Sequence, residues 1–385
     1  MVRVSGAARL AGPLAGVLVV ACNSRAPSSP APSARVVNAV EVGTLHPSSL
    51  ITGRDGGETV LAWGHEVWIF GDTFLTVKNV DGTSFVSNTF ATSPSTVPEG
   101  GIPLADRLDE AGAPDELLRP TAAEEAYDVA HRMLPDGGCE ASPCGGRFAT
   151  WPSAAVFAPD AGGSALVFYS IVSAAPGAFN FQGIGAGVAT WSSFASLPSR
   201  PAPALCDGGP PTALFCASDP GYGEGAALVD GSVYTFACTK NGLAFNCQLG
   251  RVPYAQATAR SAWQFWTGSA WSSDMGSSVT LFNGAPILSF FFDPFIGQWM
   301  TVYSEPLSNQ VVFRTAPALT GPWSQEGNLF VATYQDGNGG TAYDAVVHPE
   351  LAEQGGKVQY VTYSRPNGTE FGDEFALVRV TFGAP

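Results

Sequence analysis

The residues best suited to chemistry are carboxylates set beside glycines. Segment 53–75 reads GRDGGETVLAWGHEVWIFGDTFL, with Asp55 in GRDGG and Asp72 in GDT. Between them lie two β-prone runs joined at Gly64-His65, the pattern of a β-hairpin. In a hairpin the entry to the first strand and the exit from the second share one end. Asp55 and Asp72, 17 positions apart in sequence, are therefore expected to meet. Glycine beside each lets backbone or ligand come close. Grouped carboxylates suit glycoside hydrolysis. One carboxylic acid protonates the leaving oxygen, and a second carboxylate activates water or attacks the anomeric carbon. A third acid nearby raises the donor's pKa by like-charge proximity.

Positioning such groups requires a frame, and the chain repeats the hairpin. Similar units run over 153–170, 224–238, 277–292 and 345–364, each alternating, turning at Gly and leaving through an aromatic strand. The units begin near 57, 153, 225, 277 and 345. That spacing predicts an all-β fold, a five-bladed β-propeller, over a β-sandwich or a β-helix with shorter and more regular periods. A long insertion, 93–148, interrupts the first blade region. Its segment 121–133 (TAAEEAYDVAHRM) reads as a helix capped by Thr121 and ended by the Pro135–Gly138 turn.

Innermost propeller strands start around one end of a central channel. The residues before each unit should pool there: Asp55, Trp151, Tyr222 with Glu224, Asp274, and Tyr343 with Asp344. Asp55 and Asp72 are candidate base (or nucleophile) and acidic partner, and Glu224 the candidate general acid. Trp151, Tyr222, Tyr343 and Asp344 are candidate substrate-binding groups. Structural roles compete at each site: an Asx-turn at Asp55, a cap at Asp72, an ion pair with Arg365 at Asp344, a plain turn at Asp274. His348 reads as a hydrogen-bonded core residue. No transition-metal set has suitable spacing, and no cofactor is expected, although clustered acids could also hold a structural cation. No Gly-rich loop opens a helix after a strand, and no GxSxG has a strand–turn–helix context. Nucleotide binding and serine hydrolysis are thus disfavoured.

The amino-terminal 1–21 carries Arg3, Arg9 and an apolar run too short to span a membrane. It ends in VVAC, which resembles a bacterial lipobox with Cys22 as the lipidated residue. Residues 22–40 read as a Pro/Ser/Ala-rich tether and 41–385 as the propeller. The expected place is the cell envelope, with membrane contact through that lipid alone. The other six cysteines form close pairs: Cys139–Cys144, Cys206–Cys216 and Cys238–Cys247. Such pairs suit disulfides in an oxidising compartment. The formal charge is −15, and −17 without 1–21, with no basic cluster. That surface repels nucleic acid and points to a neutral polysaccharide as partner. A monomer is expected, because a propeller closes its own sheet edges.

GRDGG with FGDTF, then FRTAPALTGPWS, YDAVVHPEL and KVQYVTYSRP, resembles domain-of-unknown-function family 4185 over roughly 42–382. The resemblance implies a five-bladed propeller with catalytic acids in GRDGG and GDT, here Asp55 and Asp72. It also implies, for some members, endo-acting hydrolysis of D-arabinan. A non-catalytic carbohydrate-binding or scaffold propeller is the alternative.

Overall fold

The computed structural model describes residues 30–32, 34–94, 98–177, 180–334, 342–369 and 372–383. Cys22 and the 1–21 segment lie outside them. Five sheets, antiparallel except for one short parallel pairing at the outer edge of the fifth, are arranged as blades. Their innermost strands are Ile51–Ala62, Arg147–Ala158, Glu224–Val229, Ser289–Asp293 and Tyr343–Val347. These five touch one another in that order, and the last touches the first, so they ring a central channel.

Both faces of every blade are covered. Five apolar clusters each fill the wedge between two neighbouring blades. In the first blade Val67 and Ile69 face the second blade, while Trp68 and Phe70 face the fifth. Strand side chains alternate with period two, so a strand buried on both faces must be apolar at every position. This is why VWIF and ALVFY are continuous apolar runs.

Closure comes from the start of the chain. Arg35–His46 pairs antiparallel with Asp373–Gly383 as an outer strand of the fifth blade. The tether expected over 22–40 is therefore too long at its carboxyl side. Residues 35–40 belong to the propeller, and the Gln325 amide donates to the Pro30 carbonyl at 2.8 Å. The 93–148 insertion is also smaller than expected. Ala105–Asp106 is the outer strand of the first blade, Ile102–Pro103 pairs with Leu45 and His46, and Arg147 already lies on the second blade's inner strand. Its helix is real and spans Ala122–His131, with Thr121 and Glu124 forming a capping box. Glu124 also takes a bidentate ion pair from Arg200, which fastens the helix to the second blade.

The fourth unit is the one the sequence misplaces. Phe282–Gly284 pairs with Phe245–Cys247 of the third blade, and the fourth blade starts at Ser289. Its hairpin turns at 293–298, where Asp293 Oδ1 accepts the Phe295 and Ile296 amides at 2.9 and 3.0 Å. Asp274 accordingly lies away from the channel entries. It is exposed and caps a short 3₁₀ turn through the Gly276 amide.

Candidate active site

The first hairpin builds the floor of the site through two bulges. Arg54 pairs with Thr73 and Gly56 with Phe70, which leaves Asp55 opposite Gly71 and Asp72. A second bulge follows at Gly57. Gly56 and Gly57 have φ of 85° and 99°, in the left-handed region that glycine occupies without strain. Gly71 is needed for a different reason. A Cβ there would stand 2.4 Å from Asp55 Oδ1, so the carboxylate occupies the space a side chain would fill. Gly71→Ala should lower kcat at least about tenfold by displacing Asp55, with a modest stability cost, since one methyl is misplaced. Wild-type turnover in this variant would show that the Asp55 position is unimportant.

The fifth blade completes the group. Asp344 Oδ2 accepts the Gly56 amide at 3.2 Å across the junction of the first and fifth blades. Asp344 itself holds φ of 52°, unusual for a non-glycine residue. Tyr343 donates its hydroxyl to Asp373 Oδ2 at 3.1 Å. Burial drives the Asp55 carboxyl well above its usual range, with Asp344, Asp72 and Asp373 adding repulsion. Burial also lifts Asp344 to about 7, against the Gly56 amide and with Asp373 assisting. Asp373 is raised by burial and partly held back by Tyr343. Four carboxyls thus share one electrostatic neighbourhood. Asp344 does not pair with Arg365, which binds Glu41 and Glu374 instead.

Asp72 differs from its neighbours because a cation anchors it. Arg147 Nη2 donates to Asp72 Oδ2 at 2.6 Å, and Trp151 Nε1 donates to Oδ1 at 2.7 Å. Burial still raises its pKa, with Arg147 and Trp151 opposing. The Trp151 ring meets Phe181 edge-on at 5.1 Å, and Phe181 is half exposed. These rings form an aromatic wall beside the acids.

Glu224 enters from the third blade. Its Oε2 accepts the Cys238 amide at 2.5 Å, next to the Cys238–Cys247 disulfide. Burial holds its carboxyl well above the usual range, with the Cys238 amide opposing. Tyr222 does not reach the channel. Gly223 reverses the backbone at φ 149°, and Tyr222 packs fully buried between the second and third blades with its hydroxyl 3.4 Å from Ser278 Oγ. Its expected stacking role is withdrawn. The other two cysteine pairs are also bonded as expected, Cys139–Cys144 and Cys206–Cys216.

His348 is fully buried between Thr59 Oγ1 at 2.9 Å and Thr362 Oγ1 at 2.8 Å, and burial lowers its pKa to about 3. Among the described residues no group of three or more His, Cys, Asp or Glu side chains is arranged to hold a metal ion.

Beneath the site lies a second buried acid group that the sequence did not suggest. Glu58, Glu66 and Glu350 interact with one another through Glu350, and Glu58 Oε1, both Glu66 oxygens and Glu350 Oε1 lack hydrogen-bond partners. Burial lifts Glu66 to about 8 and Glu350 to about 6. The unfolded chain releases these protons in the ordinary carboxylate range, whereas the folded chain keeps them to higher pH. Their contribution is therefore intact below about pH 4.5 and is lost as pH rises toward about 8. Asp344 and Glu116, each at about 7, act in the same sense. The thermal midpoint should fall between about pH 5 and 8, and Glu66→Gln should flatten the fall. A midpoint that climbs over this interval would contradict the assignment.

The family model described as a domain of unknown function (DUF4185) matches residues 188–368, from the third strand of the second blade into the fifth. Asp344 and Glu224 lie within that match, whereas Asp55 and Asp72 precede it. No curated protein matches the sequence. Among solved structures, a putative hydrolase from Bacteroides ovatus superposes with a TM-score of 0.55 at 12% identity, covering 88% of this chain and 86% of that one. An α-L-arabinofuranosidase from Podospora anserina gives 0.47 at 12% identity, over 92% of this chain and 99% of that one. An exo-β-1,3-galactanase from Phanerochaete chrysosporium gives 0.48 at 11% identity, and this chain spans 64% of its length. At these identities the likeness is one of fold.

Proposed function

We propose that this DUF4185 propeller is a glycoside hydrolase acting on a neutral polysaccharide. The observation that carries the reading is a division of carboxyls between channel walls. Asp55, Asp344, Asp373 and Asp72 cluster where the first and fifth blades meet. Glu224 stands on the third blade with no cation opposing its protonation. Held neutral, Glu224 is suited to donate a proton to the leaving oxygen. Its Oε2 is fixed by the Cys238 amide, which leaves Oε1 to carry the proton. Asp55 is the base or nucleophile. It and Asp344 titrate as a pair in one neighbourhood, so a single shared proton leaves one carboxylate of the two to act. Asp72 is the member paired with a cation, since Arg147 opposes its protonation, and as a carboxylate it stabilises positive charge developing on the sugar ring. Trp151, Phe181 and Tyr343 offer ring faces and edges for the sugar.

D-arabinan is the polymer we propose first, with the chain lipid-anchored through Cys22 at the cell envelope. The test is reducing-end release by the unlipidated protein from arabinogalactan and a panel of other neutral polysaccharides. Release on any member supports hydrolysis and names the substrate class. Binding without release on the whole panel would replace hydrolysis with carbohydrate binding.

A further inference from the structure

A cavity of about 360 Å³ is lined in part by Arg147, the residue that holds Asp72. Its walls are the helix Ala122–His131, the 79–87 loop and the start of the second blade. A smaller cavity of about 180 Å³ adjoins it, sharing Asp81, Glu116 and Glu125. Arg147 is common to both places, since it lines the cavity while holding Asp72. A ligand there would lie one guanidinium away from the candidate chemistry.

The lining restricts the ligand. Phe85 and Phe148 supply apolar ring surface. The Phe85 ring lies 4.3 Å from the Arg147 guanidinium. Glu116 and Asp128 supply hydrogen-bonding carboxyls, raised by burial to about 7 and about 6. Acids outnumber the two arginines, Arg132 and Arg147, so uronate, sulfate and phosphate groups are repelled. A volume of this size is at the lower end for small-molecule sites, about 300–1,000 Å³. Aromatic surface combined with carboxyls fits a hydroxyl-rich neutral ring.

We infer that this cavity is a saccharide subsite, binding a neutral sugar unit of the polymer beyond the one held at the channel acids. The inference rests on the hydrolase reading for the identity of the polymer. It makes the protein selective for long chains over terminal disaccharides.

The test uses the full chain carrying Asp55→Asn, so that ligands are bound and not consumed. Arabinan-derived disaccharide and hexasaccharide are titrated calorimetrically. The hexasaccharide should bind at least about tenfold more tightly. Val129 lines the cavity from an exposed helix position, so Val129→Trp fills the space without entering the core. It should abolish the length preference and leave disaccharide affinity within about twofold. Glu125→Trp, also exposed and lining, serves if the first variant misfolds. An unchanged length preference in both variants overturns the subsite, as does absence of any hexasaccharide binding. Length-dependent binding sensitive to Val129→Trp, with no cleavage by the wild-type protein, would overturn hydrolysis and keep the subsite. Cleavage with an unaffected length preference would do the reverse.

Discussion

Asp55→Asn should lower kcat by about 10³-fold or more while leaving the thermal midpoint unchanged or slightly raised. The size of the loss is that of removing a positioned general base. The direction of the stability change follows from the site. Asp55 is buried among Asp344, Asp72 and Asp373, all of which disfavour its charge. Asparagine keeps the shape that fits the space at Gly71 and carries no charge to be repelled. The gain should be smallest at about pH 3, below the ordinary aspartate range, where the carboxyl is mostly neutral in both states, and should grow toward about pH 8. Kinetics on the substrate identified by reducing-end release, together with thermal melts at both pH values, test the pair of expectations. A large drop in midpoint would make Asp55 a structural residue.

The largest expected loss of stability lies one residue earlier. Arg54 and Asp106 form an ion pair at 2.7 Å with each side chain 1% exposed. The guanidinium lies 3.6 Å from the Phe70 ring centre, and its Nη1 also reaches Thr89 Oγ1 at 3.4 Å. Arg54→Met would leave the Asp106 charge buried without its partner, costing about 3–5 kcal/mol. Arg54→Met with Asp106→Leu should recover much of that loss, because a buried pair replaced by apolar groups of similar volume is often close to neutral. The single variant should also lose activity, since Arg54 fixes the strand from which Asp55 projects. Urea unfolding of the two variants separates the alternatives. Equal losses in both would mean that the ring contact, and not the charge pairing, stabilises this corner.

What the sequence revealed depended on range. The first hairpin was legible because Asp55, Asp72 and the glycines between them are local. The helix read over 121–133 was legible for the same reason, and it spans Ala122–His131. The unit read over 277–292 misled because its Asn283-Gly284, a strong hairpin signal, here ends a third-blade strand. Tyr222 was assigned to the channel by its position beside Glu224, but one glycine turned it into the core. Arg147 and Asp373 went unrecognised. Nothing near them in sequence signals that blade packing brings Arg147 to Asp72 and Asp373 to Tyr343. The closing strand at Arg35–His46, Val-rich and β-prone, was left in the tether because its partner Asp373–Gly383 lies at the other end of the chain, and only that pairing makes it part of the propeller.

The division of roles across the channel is tested most directly by the pH dependence of kcat/KM in Glu224→Gln, measured on the natural polysaccharide and on an aryl glycoside with a good leaving group. A loss of about 10²–10⁴-fold is expected on the polysaccharide, which needs the proton. Much of the activity should remain on the aryl glycoside, which does not need it, and the alkaline limb of the profile should disappear. Equal losses on both substrates with the alkaline limb intact would contradict the assignment of Glu224 as the proton donor.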